Sequence, residues 1–375
     1  MQQSTSLNPT TIAAIATPPG AGGIGIIRIS GPESLAVLKQ IFTPTSSSCL
    51  FTTHTLYHGK VTLPSDGKIL DEVMAVYMQA PRTYTREDVV EIHCHGSYLV
   101  LQNVLELLLT YNVHLAEPGE FTKRAFLNGR IDLTRAEAVI DILAAKTRKG
   151  VDIAQEQLDG ALYRRVNAIR MALAGMRARI EVAIDFPDED IEIIDTESFL
   201  QTLEEDVIAP ISGLLECADE GRIFREGVSV VIVGRPNVGK SSLLNALLQE
   251  ERALVTEIPG TTRDSIEEYL DVMGMPVRII DTAGIRKNTD MVEELGIKRA
   301  RQLINKADIV FFMVDGSVEL EPADRELFAT VSDKKVLILA NKMDLVSDKE
   351  AVFRADFPET IPILPISAKE QQGID

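Results

Sequence analysis

Apolar and polar positions follow different patterns in three parts of the chain. In the first part, from Thr11 to about Glu120, short β-type runs are separated by glycine and proline, which indicates an α+β domain. The elements predicted there are strands at Ile24–Ile29, Val73–Met78 and Val89–His93 and a helix at Leu99–Leu109.

The middle part is rich in helix-forming sequence. The helices predicted there are Ala136–Lys146, Tyr163–Ala183 and Ser198–Ala218. Thr134 and Glu137 have capping-box spacing at the start of the first helix. Pro210 and Gly213 are expected to kink or divide the third, because proline lacks the N–H that continues a helix. This part therefore predicts an α-helical domain.

In the last part, apolar strands alternate with helical stretches, which is the pattern of a doubly wound, mainly parallel sheet. The predicted strands are Val228–Val233, Val277–Asp281, Ile309–Val314 and Val336–Asn341. A helix over Ser242–Leu248 follows the first strand, with its leucines on one face. The fold class is therefore multidomain, α/β together with α+β.

The composition excludes several classes of protein. The 375 residues, 45% apolar and 25% charged, suit a globular protein of two or three domains. No apolar run has membrane-spanning length, which predicts a cytoplasmic protein with no membrane contact. A net charge of −18 argues against tight unaided binding to nucleic acid. Cys49, Cys94 and Cys217 have no metal-ligand spacing and are predicted to be reduced, partly buried thiols.

A phosphate-binding loop is the most specific motif of the chain. Gly234–Ser241 fits the pattern G-x-x-x-x-G-K-[ST] between a predicted strand and a predicted helix. Glycines let the backbone approach a phosphate, and the N–H groups at the helix start face it. Lys240 is predicted to reach the outer phosphates, and the Ser241 hydroxyl to ligate Mg2+. The loop therefore predicts binding of a nucleoside triphosphate.

Four later segments narrow the nucleotide to GTP. They are Thr261-Thr262-Arg263-Asp264, Asp281-Thr282-Ala283-Gly284, Asn341-Lys342-Met343-Asp344 and Ser367-Ala368-Lys369. The Thr262 hydroxyl is expected on Mg2+, with Asp281 holding the ion through water. The Asp344 carboxylate can accept hydrogen bonds from the guanine N1–H and amine, which adenine lacks. Ligands in such folds lie at the carboxyl ends of the strands, where these segments fall.

Ile285 stands where many GTPases place a glutamine that orients the attacking water. Hydrolysis is then slow, or another group orients the water. Glu293 and Glu294 are candidates for that role. Two glutamates at a helix start can equally serve as caps that compensate the helix dipole.

Outside the GTPase segment the chain carries the blocks Thr17–Gly20, Gly22–Gly31, Glu87–Glu91, His95-Gly96, Pro118–Arg130, Asp132–Ala138 and Ile184–Asp190. These blocks resemble the MnmE (TrmE) family of tRNA-modification GTPases. The resemblance runs from about Thr11 to the end of the chain. Era-like and Der-like GTPases share the loop at Gly234–Ser241 but not these blocks.

The resemblance implies three domains: a folate-binding, dimer-forming domain over residues 1–121, a helical domain over 122–226 and a GTPase domain over 227–375. It implies a cytoplasmic homodimer that works with the MnmG flavoprotein as a heterotetramer. Together they add an aminomethyl-type group, usually carboxymethylaminomethyl, to the wobble uridine of certain tRNAs.

The resemblance also implies a site for a 5-formyl-tetrahydrofolate-type folate near Arg28, Glu91 and Arg130. The two arginines pair with the folate carboxylates in this hypothesis, and Glu91 hydrogen-bonds the pterin. The alternative for all three residues is solvated charge or an ordinary salt bridge.

The family uses K+ to activate GTP hydrolysis, which assigns further residues by resemblance. The K+ ligands would be Asn237, Thr256, Ile258 and Thr261, oxygen donors that suit a hard cation. Glu293 matches the water-orienting glutamate. The alternative for Asn237 is a side chain that shapes the loop. The GTP contacts then also include Val238, Gly239, Ser242, Glu257, Pro259 and Gly260.

The chain ends at Asp375, whereas the family continues to a C-terminal Cys-x-Gly-Lys motif. The expectation is GTP hydrolysis and folate binding without tRNA modification, and an uncovered apolar face on the helical domain.

Two smaller groups of residues carry weaker expectations. His93 and His95 lie on one face of a predicted strand and Cys94 on the other, so a zinc site is not expected there. The acidic turn from Asp185 to Asp190 lacks the spacing of a calcium loop.

Two rival functions remain open. One is an Era/Der-type switch for ribosome assembly or signalling, which needs no folate site. The other is a scaffold that binds GTP without hydrolysing it.

Overall fold

The computed structural model describes residues 10–46, 50–186, 195–249, 253–254, 267–281, 302–346 and 357–374. The chain divides into two compact units, with the division after Glu137. None of the helices in these described ranges is long and apolar enough to cross a membrane.

The described residues of the first unit form a seven-stranded sheet and its associated helices. The strands are β1 (Thr11–Ile15), β2 (Gly22–Ser30), β3 (Phe42–Pro44), β4 (Thr55–Thr62), β5 (Ile69–Met78), β6 (Val89–Gly96) and β7 (Val113–Leu115). The helices are α1 (Ser34–Ile41), α2 (Tyr98–Leu109) and α3 (Glu120–Leu127). The α+β prediction and its four elements are confirmed, and the remaining elements of this unit were not predicted.

The order of this sheet is β3-β4-β5-β6-β2-β1-β7, antiparallel except for the parallel pair β1–β7. Alternate residues of β2 and β6, such as Ile27 and Ile92, are fully buried in one core with Leu38 of α1 and Leu108 of α2. The opposite face carries the intervening residues, among them Arg28 and Glu91, which the register pairs directly.

The helical part of the second unit follows α4 (Leu133–Ala144), which runs across the dividing residue. The helices after it are α5 (Arg148–Leu158), α6 (Ala161–Asp185), α7 (Thr196–Leu203), α8 (Ala209–Glu216) and α9 (Ala218–Glu226). The prediction of α6 is confirmed. Asp185 is its last residue, and the rest of the predicted acidic turn lies outside the described residues.

The predicted third helix divides ahead of Pro210 and not at Gly213, which lies inside α8. A single π-helical turn, Glu204–Ile208, joins α7 to α8. Proline cannot donate to the carbonyl four residues before it, and the turn ahead of it is wider than an α-turn. The Ala209 N–H accordingly donates to the Glu204 carbonyl, five residues back.

The capping-box prediction at Thr134 is wrong. Helix α4 begins at Leu133, and Asp132 caps it: Asp132 Oδ1 accepts from the Arg135 N–H at 3.1 Å and from Thr134 Oγ1 at 2.5 Å. Aspartate is among the preferred N-cap residues, so it starts the helix ahead of the threonine.

The end of the chain forms a second seven-stranded sheet within the described residues, in the order β14-β13-β12-β8-β11-β10-β9. Its strands are β8 (Val228–Gly234), β9 (Ala253–Leu254), β10 (Glu267–Val272), β11 (Met275–Asp281), β12 (Ile309–Asp315), β13 (Val336–Asn341) and β14 (Ile363–Pro365). Its helices include α10 (Lys240–Gln249) and α11 (Pro322–Ala329). All four predicted strands and the predicted helix are confirmed.

The strands from β14 to β11 run parallel, while β10 and β9 are antiparallel to their neighbours. Their apolar residues are buried in two clusters, the pattern of a sheet with both faces covered. Parallel strands bring their carboxyl ends to one edge, so Gly234, Asp281, Asp315 and Asn341 end four strands at the same edge.

Thr147, the N-cap of α5, holds the hairpin of β10 and β11. Its Oγ1 accepts from the Gly150 N–H at 3.1 Å and donates to the Gly274 carbonyl at 2.8 Å. Gly274 has φ +86°, and a Cβ there would lie 2.8 Å from Lys149 Cβ. The hairpin turn therefore packs closely on the first turn of α5.

The predicted domain limits stay predictions. The limit after residue 121 falls inside α3 (Glu120–Leu127), and the limit after residue 226 falls between α9 and β8.

Candidate functional site

The loop at Gly234–Ser241 leaves the central strand β8 and enters α10. Asn237 has φ +65° and Gly239 φ +105°, so both lie in the left-handed region, which favours glycine and tolerates asparagine. Val238 between them is buried in the core. The loop is thus anchored by an apolar side chain while its backbone turns back toward the start of the helix.

Lys240, the first residue of α10, reaches back over the loop. Its Nζ donates to the Gly234 carbonyl at 2.8 Å and to the Arg235 carbonyl at 2.7 Å. Ser241 and Ser242 are exposed in the same first turn. The ammonium and the Ser241 hydroxyl therefore lie on the first turn of a helix, whose N–H groups and dipole favour an anion.

Asn341 joins three of the predicted segments. Its Nδ2 donates to the Val238 carbonyl at 2.8 Å, and its Oδ1 accepts from the Ala368 N–H at 2.9 Å. A Cβ at Gly239 would collide with this amide. The phosphate-binding loop, the end of β13 and the segment after β14 are thus brought together around one buried side chain.

The predicted base-reading carboxylate is held by Ser367. Ser367 Oγ donates to Asp344 Oδ1 at 2.6 Å, and Ser367 is buried whereas Asp344 is exposed. The Glu370 N–H donates to the same Ser367 hydroxyl at 3.2 Å. Lys369 is exposed, with its Nζ 3.4 Å from Glu370 Oε1. The Asp344 carboxylate is therefore oriented before any ligand arrives.

The sequence analysis missed Asp315, which holds Lys342. Lys342 has φ +67°, and its Nζ donates to Asp315 Oδ2 at 2.5 Å, while Ser317 Oγ donates to Asp315 Oδ1 at 2.6 Å. Burial opposes ionisation, but these hydrogen bonds lower the pKa of Asp315 below its ordinary value. The signal was present, because Asp315 directly follows the predicted strand Ile309–Val314, while Asp281 and Asn341 are the last residues of theirs.

Part of the predicted site lies outside the described residues. This holds for the segment Thr256, Glu257, Ile258, Pro259, Gly260, Thr261 and Thr262, for Thr282, Ala283 and Gly284, and for Glu293 and Glu294. Asp281 is described only as the last residue of β11, beside Ile232 of β8.

The three predicted folate residues come together on the first unit. Arg28 Nε donates to Glu91 Oε1 at 2.8 Å across β2 and β6. The Arg28 guanidinium lies 6.0 Å from the centre of the Tyr84 ring, and that of Arg130 lies 5.7 Å from the same ring. Arg130 Nη1 also donates to the Thr83 carbonyl at 2.8 Å.

Two aromatic residues of this group were missed by the sequence analysis. The Phe121 ring centre lies 5.9 Å from the Arg28 guanidinium, and the Tyr84 hydroxyl is 2.9 Å from Thr122 Oγ1. Phe121 lies within Pro118–Arg130, one of the blocks that resemble the MnmE family. Its closeness in sequence to Arg130 could have indicated that it belongs to the predicted folate site. This group holds two guanidinium groups, a carboxylate and two aromatic rings. The guanidinium groups can pair with ligand carboxylates, and the rings can stack on a flat ligand.

The alternation at His93, Cys94 and His95 is confirmed, since Cys94 is buried in the core. Burial raises the pKa of the Cys94 thiol to about 12, with a smaller contribution from Asp71. Cys217 is exposed, so its predicted partial burial is wrong. Cys49 lies outside the described residues. Within the ranges described above, no group of three or more His, Cys, Asp or Glu residues could hold a metal ion.

Two known families match parts of the chain. Residues 11–130 match the family described as the N-terminus of the GTP-binding protein TrmE. Residues 229–342 match the family described as 50S ribosome-binding GTPase. The first match covers the Arg28 group, and the second covers the phosphate-binding loop through Lys342.

Similarity over almost the whole chain decides between these descriptions. The chain is 61% identical over 368 residues to the tRNA modification GTPase MnmE of Desulfotalea psychrophila. The aligned residues cover 97% of this chain and 79% of that relative. The chain belongs to the MnmE family. MnmE of Carboxydothermus hydrogenoformans is 48% identical over 97% of this chain and 80% of that relative. MnmE-family membership supports the tRNA-modification GTPase prediction and not the Era/Der-type alternative.

Among solved structures, Aquifex aeolicus Era bound to GDP.AlF4- is similar at 30% identity, with a TM-score of 0.32, over 38% of this chain and 52% of that chain.

Proposed function

We propose that the chain hydrolyses GTP as a subunit of the system that modifies the wobble uridine of tRNA, adding a carboxymethylaminomethyl-type group. One observation carries the GTP assignment: Asn341 bridges Val238 of the phosphate-binding loop and Ala368 of the segment Ser367–Lys369, whose Ser367 holds the predicted base reader Asp344. A single nucleotide held by its phosphates and its base would span these two segments. The MnmE relatives support the tRNA assignment.

Each described residue has a chemical role in this proposal. Lys240, held by the Gly234 and Arg235 carbonyls, presents its ammonium to the phosphate oxygens and neutralises charge that develops during hydrolysis. Asp344, oriented by Ser367, accepts from the guanine N1–H and amine. The Asp315 carboxylate keeps the Lys342 ammonium in place beside them.

Mg2+ would be held by Ser241 and Thr262, and it supplies neutralisation of the phosphate oxygens when bound. The exposed Ser241 hydroxyl on the first turn of α10 fits that role. K+ would be held by Asn237, Thr256, Ile258 and Thr261. The left-handed backbone and exposed side chain of Asn237 in the loop support its part in this set. Glu293 is proposed to orient the attacking water in place of the absent glutamine at Ile285.

GTP turnover in KCl against NaCl, with Mg2+ present, tests the GTPase proposal. We expect faster turnover in KCl and its loss in Lys240→Ala. The matched control is Lys335→Ala. Lys335 is exposed and lies directly before β13, at the amino-terminal ends of the parallel strands and away from the loop. This variant should turn over GTP as the wild type does. Equal, negligible rates in both salts would instead indicate a scaffold that binds GTP without hydrolysing it.

We further propose that Arg28, Glu91 and Arg130 bind a 5-formyl-tetrahydrofolate-type folate. The support is the group of charges and rings around Tyr84. The Arg28–Glu91 pair is also an ordinary cross-strand salt bridge, the alternative raised by the sequence. Calorimetric titration with 5-formyl-tetrahydrofolate separates the two. Arg28→Gln should abolish binding heat that the wild type and Arg82→Ala retain, and absence of heat from the wild type would leave only the salt bridge.

The remaining proposals concern assembly. The chain works as a cytoplasmic homodimer with the MnmG flavoprotein, and tRNA binds to that heterotetramer. The three proposed domains are residues 1–121, 122–226 and 227–375. Support comes from the match to MnmE relatives over nearly the whole chain. Light scattering of the chain with and without MnmG measures both assemblies.

A further inference from the structure

Arg235, the residue after Gly234 in the phosphate-binding loop, is held by two carboxylates at the start of α11. Its Nη1 forms an ion pair with Glu321 and lies 3.4 Å from Asp324 Oδ2. The hydrogen bond to Glu321 raises the pKa of Arg235, with Asp324 adding to the effect. The Arg235 charge is therefore already matched by carboxylates of the protein.

Asp324 depends on this contact because it is buried. Its Oδ2 also accepts from the Glu321 N–H at 3.1 Å, which caps α11. Its Oδ1 is buried and has no hydrogen-bond partner among the described residues. A buried carboxylate without a cation is costly, so losing the Arg235 guanidinium would leave Asp324 with an unfavourable buried charge.

The backbone carbonyl of Arg235 binds the side chain of Lys240. This carbonyl accepts from Lys240 Nζ at 2.7 Å, beside the Gly234 carbonyl at 2.8 Å. The side chain that α11 holds and the carbonyl that Lys240 contacts thus belong to one residue. A shift of Arg235 would move the carbonyl that holds the lysine.

Among the described residues, the loop is also anchored on either side of Arg235. Gly234 packs so closely on the Met313 carbonyl that a Cβ would collide with it, and Val238 is held by Asn341. Between these two points the chain carries Arg235, Pro236 and Asn237, of which the latter two are exposed. Within the described part of the chain, the Arg235 ion pairs fix this stretch through a side chain.

We propose that Arg235 is a positioning residue for the nucleotide: its ion pairs with Glu321 and Asp324 fix the loop and thereby the place of Lys240. This inference rests on the proposed GTP site. Arg235 acts through Lys240, because its own charge is matched by the two carboxylates.

The test is the affinity of Arg235→Gln for fluorescent GDP, together with its GTP turnover and its melting temperature. We expect GDP and GTP binding about tenfold weaker, equivalent to about 1.4 kcal/mol, at a temperature well below unfolding. Arg235→Lys should recover part of the affinity, because lysine keeps the charge but not the forked geometry. The matched control is Arg177→Gln, which breaks an exposed arginine–glutamate pair on α6 in the same unit.

A double-mutant comparison makes the assignment specific. Glu321→Gln with Asp324→Asn should weaken GDP binding as Arg235→Gln does, and adding Arg235→Gln should weaken it no further, because all three changes remove one contact. Additive losses would overturn the proposal.

Three other outcomes would also overturn it. One is wild-type GDP affinity in Arg235→Gln with only a lower melting temperature, which indicates a purely structural pair. Another is a large loss of turnover at unchanged affinity, which places the guanidinium on the phosphates. A wild-type chain that binds no guanine nucleotide overturns the proposed function and this inference with it.

Discussion

At the level of single residues, contacts within the protein fix the side chains of the segment proposed to bind the base. Ser367 Oγ holds Asp344 Oδ1 at 2.6 Å, and Asp315 Oδ2 holds Lys342 Nζ at 2.5 Å. Both contacts fix groups that would otherwise rotate, so less side-chain freedom is lost when a base binds. Guanine selection should therefore depend strongly on Asp344.

The first prediction is a change of base preference in Asp344→Asn. GTP binding should weaken by about 1.5–3 kcal/mol, or about 10- to 150-fold, because a charge-assisted hydrogen bond is lost. Binding of xanthosine triphosphate should strengthen, because the asparagine amide donates to the oxygen that replaces the guanine amine. Competition titration with both nucleotides measures this. Unchanged GTP affinity would show that Asp344 does not read the base.

The second prediction concerns pH and His95. The Asp71 carboxylate accepts a hydrogen bond from the His95 ring and so raises the pKa of His95, with the Asp71 charge adding to the effect. Because the folded pKa is raised, the protonated pair stabilises the fold fully below the unfolded pKa and loses that effect as pH rises through the folded pKa. An NMR titration of the His95 ring should give a pKa above the ordinary value, which Asp71→Asn returns to it. Equal pKa values in the two proteins would contradict the assignment.

At the level of secondary-structure elements, the hairpin of β10 and β11 joins the two segments that carry the predicted Mg2+ residues Thr262 and Asp281. Thr262 precedes β10, and Asp281 ends β11. Thr147 at the start of α5 donates to the Gly274 carbonyl in the hairpin turn. The helical part of this unit thus contacts the element on which both segments depend.

The third prediction is a loss of stability in Thr147→Val. The change removes both the N-cap of α5 and the bond to the hairpin, and should cost about 1–2 kcal/mol of unfolding free energy. Urea unfolding measures it. The control is Thr202→Val, because Thr202 is partly exposed on α7 and donates only to the Ser198 carbonyl. Equal midpoints for both variants would show that the Thr147 contact contributes nothing.

Elements of this kind differ in how far the sequence predicts them. Four of the parallel strands, β8, β11, β12 and β13, were predicted because each is a mainly apolar run bounded by glycine or a polar residue, whereas the short strand β14 was not. The π-turn before Pro210 was not, because proline indicates an interruption but not its hydrogen-bond pattern. The Arg28–Glu91 contact needs the register of β2 against β6, which local sequence does not specify. Arg235 and Asp324 are paired only by the fold, so no motif indicated their contact.

At the level of the whole molecule, the net charge of −18 limits how the chain meets tRNA. The fourth prediction is that the chain alone, at physiological salt, does not bind labelled tRNA measurably in fluorescence anisotropy. Too few phosphates would be neutralised to release the condensed ions that drive such binding. Adding the MnmG flavoprotein should restore binding. Tight, steeply salt-dependent binding by the chain alone would contradict this.

The collision between Asn341 and any side chain at position 239 has an evolutionary consequence. The two positions occupy one space, so an alanine at 239 requires a smaller residue at 341, which in turn leaves the Val238 carbonyl and the Ala368 N–H unpaired. Each single step is harmful, and no second step repairs both contacts. The phosphate-binding loop and the Asn341–Asp344 segment are therefore epistatic. A substitution at position 239 or 341 is constrained by the residue at the other position, even though the two segments would contact different parts of the nucleotide.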